Sequence, residues 1–153
     1  MTLRVCIFAP SGTGKTAFVA DCKGEYRGVK VIDFDSGGKG NIKPTAESLL
    51  AESGPTALLT ASIEPPIVRG IEFLAVVPPE SEMLANLGKR RANPKEAVRT
   101  RNRPSHGLRR RSELMAYIRE HKVRGFTGIK AALDSAIDEA VTDGQLAASE
   151  RSE

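Results

Sequence analysis

Residues 3–16 read L-R-V-C-I-F-A-P-S-G-T-G-K-T, an apolar run that passes into a glycine-rich turn and then into lysine and threonine. The apolar run at residues 3–9 predicts a strand buried on both faces, as the strands of parallel sheets are. The turn at residues 9–16, hereafter the phosphate loop, has the composition of a phosphate-binding loop. Its glycines let backbone N–H groups face inward, and its lysine reaches the terminal phosphates. The stretch therefore predicts a strand, a loop and a helix in succession, with a nucleotide bound at the loop.

Each part of the phosphate loop has a predicted role. Gly12 and Gly14 accept the backbone angles that the loop needs, and Lys15, which we expect to be exposed, supplies charge when phosphates are present. The hydroxyl of Thr16, on the first turn of the helix, is placed to bind Mg²⁺. Ala9 stands where the usual pattern has its first glycine. The residues expected to contact the nucleotide are Pro10, Ser11, Gly12, Thr13, Gly14, Lys15, Thr16 and Ala17.

The composition predicts one globular domain. The chain has 153 residues, of which 40% are hydrophobic and 27% are charged, so it has room for one core and not for a second catalytic domain. The apolar stretch after Arg4 is too short for a secretory signal, and no run approaches the roughly 18 apolar residues of a membrane span. We therefore expect a cytoplasmic protein without membrane contact. Cys6 and Cys22 are expected to be core residues rather than a disulfide.

The net charge of +4 hides an asymmetry along the chain. Residues 1–77 contain eight Lys or Arg and eight Asp or Glu, whereas residues 89–124 contain thirteen Lys or Arg and only three Glu. A basic segment of this size is typical of a solvated helix face, a nucleic-acid patch or a cationic lid over phosphates. What surrounds the segment decides among the three.

Short apolar segments alternate with helical patterns along the chain. Strands are predicted at residues 3–9, 29–34, 56–62 and 71–77, with a short fifth at 123–126. Helices are predicted at 15–23 and 45–52, after Pro78-Pro79, at 108–122, and from an N-cap at Thr127 onward. This alternation predicts a single α/β domain over residues 1–153. We expect a three-layer open parallel sheet of four to five strands with helices on both faces, of the P-loop NTPase class.

Two aspartates follow the second predicted strand, in the sequence Asp33-Phe34-Asp35. Ligands bind open α/β sheets at the carboxyl ends of the strands, so these carboxylates are expected beside the phosphate loop. A magnesium ion or a substrate hydroxyl needs a carboxylate at that place. We therefore predict that Asp33 and Asp35 orient the acceptor or the metal, with Asp33 as the metal ligand beside Thr16.

These residues resemble small P-loop kinases of the nucleoside-monophosphate kinase type, over about residues 1–125. The loop A-P-S-G-T-G-K-T is similar to those of guanylate and adenylate kinases and of small viral nucleotide kinases. Residues 71–91, I-E-F-L-A-V-V-P-P-E-S-E-M-L-A-N-L-G-K-R-R, resemble the kinase strand that ends in prolines and feeds the helix leading into the lid. The D-F-D of residues 33–35 is similar to the D-x-D of shikimate-type kinases. The chain departs from the pattern at residues 56–62, which carry no acidic residue, and it has no clear motif that reads a nucleobase.

The resemblance implies an ATP- and Mg²⁺-dependent kinase that phosphorylates a small acceptor, with a nucleotide or nucleoside favoured. It also implies that the basic segment at about residues 88–107 is a lid whose arginines stabilise charge in the transition state. Nucleic acid is not expected as a partner, and no particular oligomeric state is predicted. The candidate lid residues are Arg90, Arg91, Arg99, Arg101 and Arg103.

Two other functions compete with the kinase. The first is a nucleotide-dependent module acting on nucleic acid, such as a compact recombination-type ATPase, although such cores need more chain than 153 residues. The second is a nucleotide-binding protein without turnover, which the missing acidic residue favours, since a fold alone does not establish chemistry.

Overall fold

The computed structural model describes residues 2–10, 13–33, 49, 51–60, 70–98 and 103–144. The strands in these ranges are β1 (Arg4–Phe8), β2 (Glu25–Tyr26), β3 (Val29–Asp33), β4 (Thr56–Thr60), β5 (Glu72–Val76) and β6 (Arg124–Phe126). The helices are α1 (Lys15–Cys22), α2 (Glu80–Arg91), α3 (Pro94–Ala97), α4 (Pro104–His121) and α5 (Ile129–Thr142).

The strands form one sheet in the order β2-β3-β4-β1-β5-β6. β1 is parallel to β4 and β5, β3 is parallel to β4, and β5 is parallel to β6, while β2 is antiparallel to β3. In this register Phe8, the last residue of β1, lies beside Thr60 of β4 and Ala75 of β5. The strand that leads into the phosphate loop is therefore the central strand of the parallel part of the sheet.

The α/β class was predicted correctly, but the strand number and the uniform strand direction were wrong. The described residues contain six strands in a mixed sheet instead of four to five parallel strands. The missed strand is β2, which has only two residues and therefore no period-two pattern. It forms because Arg27 and Gly28 both adopt positive φ angles, 50° and 84°, as a two-residue hairpin turn of type I′ requires.

Helices pack on both faces of the sheet, because successive residues of a strand point to opposite sides. On one face, Ile7 and its neighbours pack against α1 and α5, where Leu133 is fully buried. On the other face, Phe8 packs against Leu114 and Tyr117 of α4, with the rings of Phe8 and Tyr117 edge to face and 5.3 Å between centroids. Burial of each large apolar side chain contributes about 1.5–3 kcal/mol. The two clusters thus hold the end of β1, where the phosphate loop begins.

The helices α2 and α4, hereafter the helical pair, pack closely against each other after β5. α2 begins after Pro78-Pro79, as predicted, and buries Met83 and Leu87. A Cβ atom at Gly107 of α4 would lie only 2.7 Å from Cδ1 of Leu87 and 3.4 Å from the sulfur of Met83. Glycine at this position therefore allows the close approach of the two helices.

Several predicted boundaries differ from the structure. α4 begins at Pro104 rather than at residue 108, with proline in the first turn, where a missing N–H is tolerated. α5 has Gly128 rather than Thr127 as its N-cap, without a side-chain capping bond. Of the predicted helix at 45–52, Leu49 is helical and fully buried, and positions 45–48 and 50 lie outside the described residues. Within the described ranges, none of the helices has the length and apolar character needed to cross a bilayer.

Candidate phosphate-binding site

The phosphate loop leaves the carboxyl end of β1 between β4 and β5. Ala9 continues the sheet, since its N–H donates to the carbonyl oxygen of Thr60 at 2.8 Å. The carbonyl oxygen of Pro10 then accepts two hydrogen bonds from Thr13, from its backbone N–H at 3.2 Å and from its hydroxyl at 2.6 Å. A backbone bond from residue i+3 to residue i closes a tight turn. The chain therefore reverses direction directly above the central strand.

Gly14 ends this turn and begins helix α1. Its φ of 93° and ψ of 26° lie in the left-handed region that favours glycine, and its carbonyl oxygen accepts the N–H of Phe18 at 2.9 Å. Because Gly14 has no side chain with which to cap the helix, the N-cap residue gives no hydrogen bond to the first-turn N–H groups. These groups and the positive end of the helix dipole favour a bound anion.

Lys15 is the first residue of α1, and its side chain folds back into the phosphate loop. Its Nζ donates to the carbonyl oxygens of Ala9 at 2.8 Å and Pro10 at 3.3 Å. The residue is only 6% exposed, so the expectation of an exposed lysine was wrong. The reason is tertiary, because the turn places carbonyl oxygens within reach of an ammonium that can donate three hydrogen bonds. The ammonium therefore lies inside the loop rather than in solvent.

The structure describes three further residues that were predicted to contact the nucleotide. Thr16 is the second residue of α1, Ala17 is exposed one position later, and Thr13 is half-buried. The side chain of Thr16 and all of Ser11 and Gly12 lie outside what the structure describes. The contact of Thr16 with Mg²⁺ stays a prediction.

Asp33 is half-buried and ends β3 at the same edge of the sheet. It pairs in register with Leu59 of β4, which pairs with Ile7 of β1. Two strand spacings separate β3 from β1, so the two strands are roughly 10 Å apart. By strand alternation, Asp33 is on the side of Val31, which belongs to the cluster that packs against α1. Asp35 lies outside the described residues.

The carboxyl end of β4 carries a hydroxyl instead of a carboxylate. Thr60 is fully buried there beside Phe8, and Asp33 is the one acidic residue among the strand-ending residues that the structure describes. Among the same described residues, no group of three or more His, Cys, Asp or Glu side chains is placed to hold a metal. The assignment of Asp33 to Mg²⁺ therefore stays a prediction.

Three of the five predicted lid arginines lie at the end of the helical pair where α2 stops and α4 starts. Arg90 and Arg91 end α2, and the exposed Arg103 directly precedes α4. Arg99 and Arg101 lie outside the described residues. None of the ion pairs between described side chains includes the five cations at this end, which are named the basic end: Lys89, Arg90, Arg91, Lys95 and Arg103.

His106 lies in the first turn of α4, close to two arginines. Burial, followed by the charges of Arg110 and Arg109, lowers the pKa of His106 below its ordinary value. The guanidinium of Arg109 lies 3.2 Å from Nδ1 of His106. The lowered pKa of His106 is thus due first to its burial, and the two arginine charges add to the effect.

Sequence reasoning missed Arg111, which the structure places at the edge of the sheet that carries the phosphate loop. Its Nε donates to the carbonyl oxygen of Pro78 at 2.7 Å, two residues after the end of β5. A signal was present, since Leu114 and Ile118 follow Arg111 by three and seven residues, the spacing of one helix face. That spacing predicts that Arg111 points inward.

The structure thus brings the phosphate loop, Asp33, the start of α2 and Arg111 of α4 to one edge of the sheet. Neither a comparison with models of known protein families nor a comparison with curated proteins returned a match for this chain. The function is therefore inferred from the chemistry of the site.

Proposed function

We propose that this protein is a P-loop kinase that binds ATP with Mg²⁺ at the phosphate loop and phosphorylates a small acceptor, with a nucleotide or nucleoside favoured. The topology supports a ligand site at this place. From β1 the chain continues toward β3 on one side, and from β5 it continues toward β6 on the other. Ligands of open α/β sheets bind where neighbouring strands connect in opposite directions, at their carboxyl ends.

The observation that carries the proposal is the position of Lys15. Its ammonium is buried among the loop carbonyls of Ala9 and Pro10, at the N-terminus of α1. Hydrogen bonds to the loop carbonyls offset the cost of burying the ammonium group and hold its charge at the start of α1, where a phosphate would use it. A phosphate at the loop would be bound both by this ammonium and by the N–H groups of the first helical turn.

The roles of the other residues follow from where they lie. Thr16 and Asp33 are the proposed protein oxygens for Mg²⁺, which when bound neutralises phosphate charge. Asp35 is proposed to orient the acceptor. The arginines of the basic end, with Arg99 and Arg101, are proposed to stabilise negative charge as the phosphoryl group moves.

The basic end also supports the choice of acceptor. Exposed cations keep much of their field for a ligand, and that field attracts an acceptor that is itself negative. A nucleoside monophosphate or diphosphate meets this requirement better than a neutral alcohol. We therefore rank nucleotides ahead of nucleosides and of shikimate-like alcohols.

The test is a screen for ATP binding and phosphoryl transfer, with a matched pair of lysine variants. Nucleoside mono- and diphosphates, nucleosides and shikimate-like alcohols are offered to the protein with labelled ATP and Mg²⁺. Lys15→Met should lower turnover by about 10²–10³-fold, as the loss of one charge-stabilising donor does. Lys30→Met is the control, because Lys30 is exposed and lies level with Thr56, near the opposite edge of the sheet.

Thermal unfolding of both variants separates lost chemistry from a lost fold. Full turnover in a folded Lys15→Met variant would reject the role of that lysine. Failure of the wild-type protein to bind ATP would reject the site as a whole.

A nucleotide-binding protein without turnover is the second candidate, and the end of β4 favours it. Thr60 replaces the carboxylate that would help to hold the metal, and it is fully buried. Tight ATP binding without transfer to any acceptor in the same screen would select this candidate.

A further inference from the structure

Three consecutive arginines on α4, residues 109–111, have different environments. Arg109 contacts the ring of His106, and Arg110 pairs with Glu113 at 3.3 Å on the same helix, with 47% of its side chain exposed. The side chain of Arg111 is only 19% exposed and reaches out of its helix to the sheet. Among the three arginines, Arg111 therefore makes the contact between α4 and the sheet.

The main partner of Arg111 is the backbone carbonyl of Pro78, which lies between β5 and α2. Pro78 is buried between the end of β5 and the start of α2, and neither Pro78 nor Pro79 has an N–H group. Nε of Arg111 donates to the Pro78 carbonyl oxygen at 2.7 Å. Its Nη1 lies 3.6 Å from a carboxylate oxygen of Glu80 and 3.5 Å from the sulfur of Met115. One guanidinium thus joins the exit of β5, the first residue of α2 and the body of α4.

This contact holds the helical pair at the sheet edge that carries the phosphate loop. The two helices already pack as one unit at Gly107, one turn before Arg111. Phe8 of β1 is level with Ala75 of β5, so Pro78 follows β5 at the same edge at which Pro10 follows β1. The basic end projects from the helical pair on the far side of this joint. The Arg111 contact is therefore one of the contacts that set its direction relative to the phosphate loop, together with the packing of Leu114 and Tyr117 against Phe8.

We propose that Arg111 is a positioning residue for phosphoryl transfer, which orients the helical pair so that the basic end meets the phosphates held by the loop. The inference rests on the proposed function. It assigns Arg111 no contact with the nucleotide or the acceptor. Loss of the contact should therefore affect the chemical step and the acceptor while ATP affinity, which depends on the loop and α1, is unchanged.

The test compares Arg111→Met with Arg110→Met, the same change one residue earlier on an exposed side chain. Arg111→Met should lower kcat by about 10- to 100-fold, since small displacements of charged groups have effects of this size, and leave the Kd for ATP unchanged. Amides of α2 and of the first turns of α4 should exchange hydrogen faster than in Arg110→Met. Two further variants refine the test. Arg111→Lys should rescue part of kcat, because one ammonium can still donate to the Pro78 carbonyl.

Glu80→Gln should have little effect, because the Glu80 side chain is 63% exposed.

Three outcomes would overturn the proposal. The first is equal turnover and equal exchange in Arg111→Met and Arg110→Met. The second is a joint loss of ATP affinity, kcat and thermal midpoint without rescue by Arg111→Lys, which indicates a general structural role. The third is a wild-type protein that transfers no phosphoryl group, which rejects the proposed function and, with it, the positioning role. In that case faster exchange in Arg111→Met would identify the contact as structural only.

Discussion

The outer side of α5 and the basic end of the helical pair use cations in opposite ways. At α5, Arg27 Nη1 lies 2.7 Å from Asp134 and Nη2 lies 2.9 Å from Asp138, one helical turn apart. Arg124 pairs in the same manner with Glu72 and Glu139. At the basic end, none of the ion pairs between described side chains includes one of the five cations.

The paired cations connect elements that are distant in sequence. Arg27 belongs to the β2–β3 turn, and its side chain is only 14% exposed, so its two ion pairs fasten the edge of the sheet to α5. Tyr26 adds a hydrogen bond from its hydroxyl to Asp134 at 2.8 Å. Burial raises the pKa of Glu72, and the nearby charge of Arg124 opposes that rise. The charges at α5 are thus balanced inside the fold.

The comparison teaches how to separate structural charge from functional charge in a basic protein. A paired and partly buried cation contributes to folding, and its field is largely cancelled by its partner. An exposed and unpaired cation contributes little to folding and keeps its field for a ligand. Substitutions in the two regions should therefore have opposite effects on stability and on turnover.

The largest expected effect is at the basic end. Substituting Arg91 and Arg103 together with Met should lower turnover by about 10²–10³-fold, because charge on the transferred group loses its stabilising cations. The free energy of unfolding should change by less than about 0.5 kcal/mol, since both side chains are exposed. Steady-state kinetics and denaturant unfolding of the same samples measure the two quantities.

A hydrogen-exchange experiment on the same region tests whether the basic end binds phosphorylated substrates or nucleic acid. A bisubstrate analogue should slow exchange in residues 88–98 and 103–107 of the wild-type protein, and duplex or single-stranded nucleic acid should not. The opposite result would assign the basic end to a nucleic-acid surface and remove it from the kinase site.

An intermediate effect is expected at Arg27. Arg27→Met should lower the free energy of unfolding by about 1–2 kcal/mol, because two charge-assisted hydrogen bonds are lost on a partly exposed surface. Turnover should be unchanged. A double-mutant cycle with Asp134→Asn measures the coupling, and additive effects of the two substitutions would show that the ion pair contributes nothing.

The smallest effect concerns alkaline pH. Burial and then the hydrogen bond to Asp134 raise the pKa of Tyr26 from 10.0 to about 12. The folded state therefore favours the protonated phenol, so this contribution to stability is complete below pH 10 and is lost as the pH rises from 10 to 12. Unfolding curves at increasing pH should show this loss in the wild-type protein and not in Tyr26→Phe. A spectroscopic titration in which Tyr26 ionises near its ordinary pKa would contradict the prediction.

Most elements of the sheet could be predicted because their signals are local. The strands β1, β4 and β5 come from largely apolar runs, and β3 carries Val29, Val31 and Ile32 around one lysine. The double proline before α2 marks a helix start without reference to other segments. β2 could not be predicted in this way. Its two residues form a strand because positive φ angles at Arg27 and Gly28 return the chain onto β3.

The candidate site likewise has features that were predicted from the sequence and features that depend on the folded structure. The sequence by itself predicted the strand and the helix on either side of residues 9–14 and the place of Asp33 at a strand end, because an apolar strand, a glycine-rich turn and a helix in succession are a local pattern. Only the tertiary structure decided that Lys15 is buried against Ala9 and Pro10, and that Arg111, rather than its two neighbours, reaches Pro78. Both outcomes depend on carbonyl oxygens whose positions are set by the folded backbone, and in the case of Arg111 by segments more than 30 residues apart. The residue types determine which side chains can donate hydrogen bonds, and the folded backbone determines which carbonyl oxygens accept them.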